Sequence, residues 1–167
     1  GKSYVVKFIA PDGHVITTQN VGDDTKDSDA GTDGCSTPVV LADGEFNPTI
    51  DAGVFKPWAS IGDFVWLDVN KNGIQDNGEV GVANISVSLL DASGNIVKTI
   101  TTGTDGKYLF TNLEPGDYSV AFVIPGGYTL SPKDNGDNTK DSDAGTDGKT
   151  VKTTLDGGEN DMTWDMG

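Results

Sequence analysis

Residues Asp68 to Glu79 read DVNKNGIQDNGE, which places oxygen-bearing side chains at a spacing suited to a hard cation. The segment meets D-x-[DN]-x-[DN]-G-x5-E at every specified position. Calcium takes about six to eight oxygen ligands, and a loop of this pattern supplies them in order. Asp68, Asn70 and Asn72 offer side-chain oxygens, and Gly73 permits the sharp turn. Ile74 offers its main-chain carbonyl, Asp76 binds directly or through water, and Glu79 closes the site with both oxygens. The residues just ahead, Phe64-Val65-Trp66-Leu67, are strand formers, so the loop is expected between strands and not between helices.

A second acidic motif comprises Asp137, Asp141, Asp143 and Asp147. Its near-copy comprises Asp23, Asp27, Asp29 and Asp33. Carboxylates gathered so closely repel one another unless a cation sits among them, so both sets are expected calcium ligands. Catalytic constellations are absent from the pattern. His14 is the one histidine and Cys35 the one cysteine, which make neither a dyad nor a transition-metal site. The chain reads as a non-enzyme.

The composition agrees with a cation-dependent role. Formal charge is -15, with 26 acidic residues against 11 basic ones. Phosphate backbones need Lys and Arg, so nucleic acid is excluded as a partner, and anionic membrane surfaces are disfavoured. No run approaches the roughly 18 apolar residues of a membrane-inserted span. A lone Cys35 makes no internal disulfide, leaving metal as the stiffening device. The chain opens at Gly1 without a signal sequence and is expected to be an internal or mature segment.

The elements that position these residues are duplicated. GDDTKDSDAGTDG, Gly22 to Gly34, recurs as GDNTKDSDAGTDG, Gly136 to Gly148, an offset of 114 residues. The offset also pairs Tyr4 with Tyr118, Phe8 with Phe122, Leu41 with Leu155, Asp51 with Asp165 and Gly53 with Gly167. Residues 1–55 are therefore expected to be the C-terminal half of a preceding repeat, and residues 56–167 a complete one. Short alternating runs such as Ile85, Val87, Leu89 and Tyr118, Val120, Phe122 are half-buried strands. Further strands are expected over 60–67, 95–101, 107–110, 127–130, 150–155 and 161–165. Eight or so short strands between Gly- and Pro-bearing turns predict an all-β sandwich, in tandem repeats.

The series IGDFVWLDVNKNGIQD, GVANISVSLLD, TDGKYLFTNLEPGDYSV and DSDAGTDG is similar to the B domains of bacterial serine–aspartate-repeat (Sdr) surface adhesins. These are a calcium-binding branch related to the B-type repeats of collagen adhesins. The resemblance covers residues 58–167, and its tail half again covers residues 1–53. It implies an immunoglobulin-like or prealbumin-like β-sandwich, an extracellular cell-surface location and a stalk role. Related pilus repeats often carry a Lys–Asn isopeptide bond that begins from a Lys in the first strand. Residues 61–67 hold no Lys and Lys56 precedes them, so calcium is expected in place of a covalent cross-link.

The expected function is a calcium-stabilised spacer or assembly module in a surface adhesin, sheath or filament. The alternatives are a glycan- or protein-binding module using Trp58, Trp66 or Trp164, and an isopeptide-linked pilus domain. Neighbouring repeats are the expected partners, with head-to-tail self-assembly through residues 1–53 as a further expectation.

Overall fold

Polar and apolar residues alternate along most of the chain, and Gly, Asn and Asp interrupt every run, so short strands form where helices cannot. The computed structural model describes residues 1–167. It divides into two compact units, Gly1–Pro57 and Trp58–Gly167.

The larger unit is a sandwich of two sheets. One sheet takes the order β10-β9-β6-β7 and the other β11-β5-β8. The strands are β5 (Ala59–Phe64), β6 (Ser86–Asp91), β7 (Ile96–Thr101), β8 (Lys107–Leu113), β9 (Gly116–Phe122), β10 (Thr153–Leu155) and β11 (Asn160–Asp161). All pairings are antiparallel except β11 with β5. The inward side chains of the two sheets form one core, centred on Ile61, Val87, Leu89, Phe110, Val120 and Leu155. Tyr108 meets Phe110 and Phe122 edge to face, with ring centroids 6.0 and 5.5 Å away.

The hydroxyl of buried Tyr108 donates to the Trp164 carbonyl, fastening the last segment of the chain across the core. Tyr108→Phe keeps the ring and orphans that carbonyl. It should cost about 1–2 kcal/mol, read as a fall in denaturant midpoint at unchanged m-value.

The smaller unit has four short strands, β1 (Lys2–Tyr4), β2 (Val15–Ile16), β3 (Val39–Leu41) and β4 (Val54–Phe55). β1 pairs with β3 and β2 with β4, both antiparallel. Its apolar residues are poorly covered. Val6 is 40% exposed where its counterpart Val120 is 0% exposed. Phe8 and Leu41 are half-buried where Phe122 and Leu155 are buried. In the larger unit those positions lie against β5, β6 and β8, which the smaller unit lacks.

Expected strands and observed ones agree over β5 to β9. Two expectations fail: residues 127–130 form no strand, with neither Thr129 nor Leu130 making a backbone hydrogen bond, and of residues 161–165 only Asp161 lies in a strand. Of the three tryptophans, Trp66 and Trp164 are buried and Trp58 is 59% exposed.

Candidate metal centre

Residues 68–79 follow β5, in the sheet β11-β5-β8, between two pinch points. Trp66 bridges Gly81, and the Leu67 amide donates to the Val80 carbonyl at 2.9 Å. The loop thus springs from extended backbone on both sides. Left-handed backbone at Lys71, Gly73 and Gly78 turns it back on itself (φ 62, 79 and 99°).

Inside this turn the side chains face one another. The Asp68 carboxylate accepts the amides of Lys71, Asn72 and Gly73 at 2.6, 3.2 and 2.8 Å. Partial burial opposes its charge, but hydrogen bonds from Ser131 and from those amides outweigh burial and hold its pKa below the usual carboxylate value. Asn70 and Asn72 both direct their side-chain amides to one oxygen of Asp76, at 2.7 and 2.8 Å. Glu79 accepts the Val69 amide on one oxygen and the Asp76 amide on the other, at 2.8 and 3.0 Å. The backbone bonds beside Ile74 run from Gln75 to Lys140 and from Ser142 to Gly73, leaving the Ile74 carbonyl out of the pairing.

All six expected loop ligands therefore belong to one small, oxygen-rich turn. The donors are carboxylate, carboxamide and carbonyl oxygens, a hard set that fits calcium and not a transition metal. A half-turn of each Asn carboxamide exchanges nitrogen for oxygen at the Asp76 side, so the same rotors serve a cation.

The second acidic motif is divided by the fold. Asp137 and Asp147 lie on turns and cap local amides, of Thr139 and Lys149 respectively. Asp141 and Asp143 are buried. Asp143 accepts the Asp165 amide at 2.7 Å, and Asp165 accepts the Phe64 amide at 3.0 Å. One oxygen of Asp141 and one of Asp165 are buried with no hydrogen-bond partner.

Burial raises the Asp143 pKa to about 7, with Asp141 and Asp134 adding repulsion against the Asp165 amide bond. Burial likewise raises that of Asp165 to about 9, with Asp63 and Asp143 adding repulsion. Three or more acidic side chains nowhere converge as a ready-made metal cage.

The smaller unit repeats the layout. Asp23 caps Thr25, Asp33 caps Cys35, and Asp29 accepts the Asp51 amide at 2.7 Å. Asp27 accepts the Gly22 amide at 2.7 Å, and its other oxygen is buried without a partner, as in Asp141.

The twelve-residue loop and the acidic segment of the larger unit are joined. Ile74 bridges Asp141, and Asn135 donates to the Asn72 carbonyl at 2.6 Å. A side chain at Gly73 would meet the Pro132 carbonyl at 2.2 Å, so glycine is required for this approach as well as for its backbone angle. Asp63, Asp165 and Asn135 are the polar partners that motif reading passes over. Asp165 did carry a signal, since it recurs at the repeat offset as Asp51.

An acid-lined β-sandwich whose second half recurs ahead of it in the sequence defines a tandem-repeat module. The chain belongs to the SdrD B-like domain family, whose profile matches residues 1–54 and 59–167. It is 41% identical over 166 residues to serine-aspartate repeat-containing protein F of Staphylococcus epidermidis, covering 98% of this chain and 9% of that protein. It is 40% identical to serine-aspartate repeat-containing protein D of Staphylococcus aureus strain Newman, covering 98% of this chain and 12% of that protein. The chain thus spans about a tenth of the length of these relatives.

Among solved structures, the Bacillus anthracis TIE protein aligns with TM-score 0.49 at 17% identity, over 98% of this chain and 23% of its own. The major pilin subunit BcpA of Bacillus cereus aligns with TM-score 0.43 at 15% identity, over 72% of this chain and 35% of its own. Family membership makes the chain an extracellular, cell-surface β-sandwich repeat with a structural and not a catalytic role.

Proposed function

We propose that the chain is a calcium-stabilised spacer within a surface adhesin. The observation that carries this reading is the convergence of Asn70, Asn72 and Asp76 inside a loop whose back is bonded to residues 135–142. A cation held there ties the loop to the acidic segment. When bound, calcium supplies charge neutralisation and a rigid cross-brace between them. Asp68, Asn70, Asn72, Ile74, Asp76 and Glu79 hold it. Buried Asp141 and Asp143, with buried Asp29 and half-buried Asp27 as their twins, offer carboxylates for further ions. Asp137, Asp147, Asp23 and Asp33 contribute negative charge from the adjoining turns.

Calcium titration of the 167-residue chain by calorimetry is the test. Binding is expected, and Asp68→Ala combined with Glu79→Gln should remove the tightest site. Absence of heat and of any calcium-dependent rise in melting temperature would sink the reading.

The smaller unit is proposed to be the back half of a repeat. The cover for Val6, Phe8 and Leu41 is a front half like residues 58–114, worth several kcal/mol at about 25 cal/mol per Å² of apolar area. A neighbouring repeat is the nearest source of that cover. Of the three tryptophans, only Trp58 is exposed for sugar stacking.

A further inference from the structure

The two units hold the same hydrogen bond at corresponding positions. Thr17 donates its amide to the Gly53 carbonyl at 2.9 Å. Ser131, its counterpart at the repeat offset, donates to the Gly167 carbonyl at 3.0 Å. In the smaller unit the chain then runs on as β4, pairing Ile16 with Val54 and Val15 with Phe55. In the larger unit the counterparts of Val15 and Ile16 are Thr129 and Leu130, and their backbone groups have no partner.

The surface beside this edge is prepared for apolar contact. Trp66, Ile124, Tyr128, Leu130, Met166 and Gly167 line a narrow cleft. Tyr128 and Ile124 are exposed there, at 51% and 37%. The Trp66 indole N–H is buried and has no acceptor. An unsatisfied buried donor of this kind is destabilising, and a carbonyl that reaches it from the cleft removes that cost.

We propose that the Thr129–Leu130 edge is a docking site for one extended apolar dipeptide, a Val-Phe segment carried directly behind Gly167 as Val54-Phe55 is carried behind Gly53. The main chain of that segment adds a short strand to the edge, in the register that β2 and β4 already show, and its side chains cover the cleft. The segment that follows each repeat is then a part of the repeat's own fold. This deepens the tandem-repeat reading and does not depend on calcium.

Three chains test it: the 167-residue chain, the same chain extended by Val-Phe-Lys-Pro-Trp, and the same chain extended by Gly-Ser-Lys-Pro-Trp. Amide exchange over residues 128–130 should slow about tenfold or more with the Val-Phe extension alone. The Trp66 indole resonance should move in that chain alone, while β6 stays equally protected in all three. Unchanged exchange over 128–130 overturns the proposal, and so does equal slowing by both extensions. The comparison is made in calcium and in chelator, so its failure is distinct from a failure of calcium binding.

Discussion

Alanine at Gly73 should weaken calcium binding about a hundredfold and cost about 3 kcal/mol or more of stability. Two penalties combine at this position. The backbone is left-handed (φ 79°), which costs an alanine roughly 1–2 kcal/mol. The new methyl would also fall 2.2 Å from the Pro132 carbonyl oxygen, a backbone atom with no rotamer to move. Relief requires the loop to leave residues 132–142, breaking the bond from Ser142 to Gly73 and the approach of Ile74 to Asp141. The same displacement disturbs Asp68, which accepts the Gly73 amide.

Gly78→Ala is the control. It has φ 99° but open space around it, so it should cost only about 1 kcal/mol and leave calcium affinity within a fewfold. Calorimetric titration and thermal melts of both variants decide the matter. Equal effects at the two positions would refute the docked-loop account.

The pH dependence of stability should reverse sign when calcium is added. Without metal, Asp143 titrates at about 7 and Asp165 at about 9, against an ordinary value of 3.8. A raised folded pKa means that the native state holds protons the unfolded chain has released. Their contribution is complete below 3.8 and is lost as pH rises through about 7 and then about 9. Asp68, whose pKa is lowered, works oppositely and loses its contribution as pH falls below the ordinary carboxylate range.

Metal-free protein should therefore be most stable near the upper edge of that range, about pH 4–5, and melt at steadily lower temperature toward pH 9. With calcium in excess the carboxylates are held ionised by the cation. Binding then releases protons, so the melting temperature should climb over the same interval. Melts at intervals of one pH unit, in chelator and in calcium, read both slopes. A metal-free melting temperature that rises with pH would overturn the assignment of buried protons to Asp143 and Asp165.

The loop at 68–79 was legible in the sequence because its geometry is local. Its oxygens, its left-handed glycine and its closing Glu79 all lie within twelve residues, so spacing alone specifies who meets whom. The core strands were legible for a similar reason, since a period of two shows on Val87 and Leu89 without knowing their partners. The duplication made the incomplete cover of Val6 and Phe8 foreseeable from their buried counterparts.

The acidic motif was not legible in the same way. Asp141 and Asp143 look the same as Asp137 and Asp147 in sequence, yet two are buried and two cap exposed turns. What separates them is contact of Asp141 with Ile74 and of Asp143 with Asp165, 67 and 22 residues away along the chain. Likewise, a strand was expected at 127–130, but a strand requires a neighbour to accept its hydrogen bonds, and none lies beside Thr129 and Leu130. Local chemistry was written in residue types and spacing; burial and pairing were decided only when distant segments met, because desolvation and hydrogen bonding depend on partners that no local window contains.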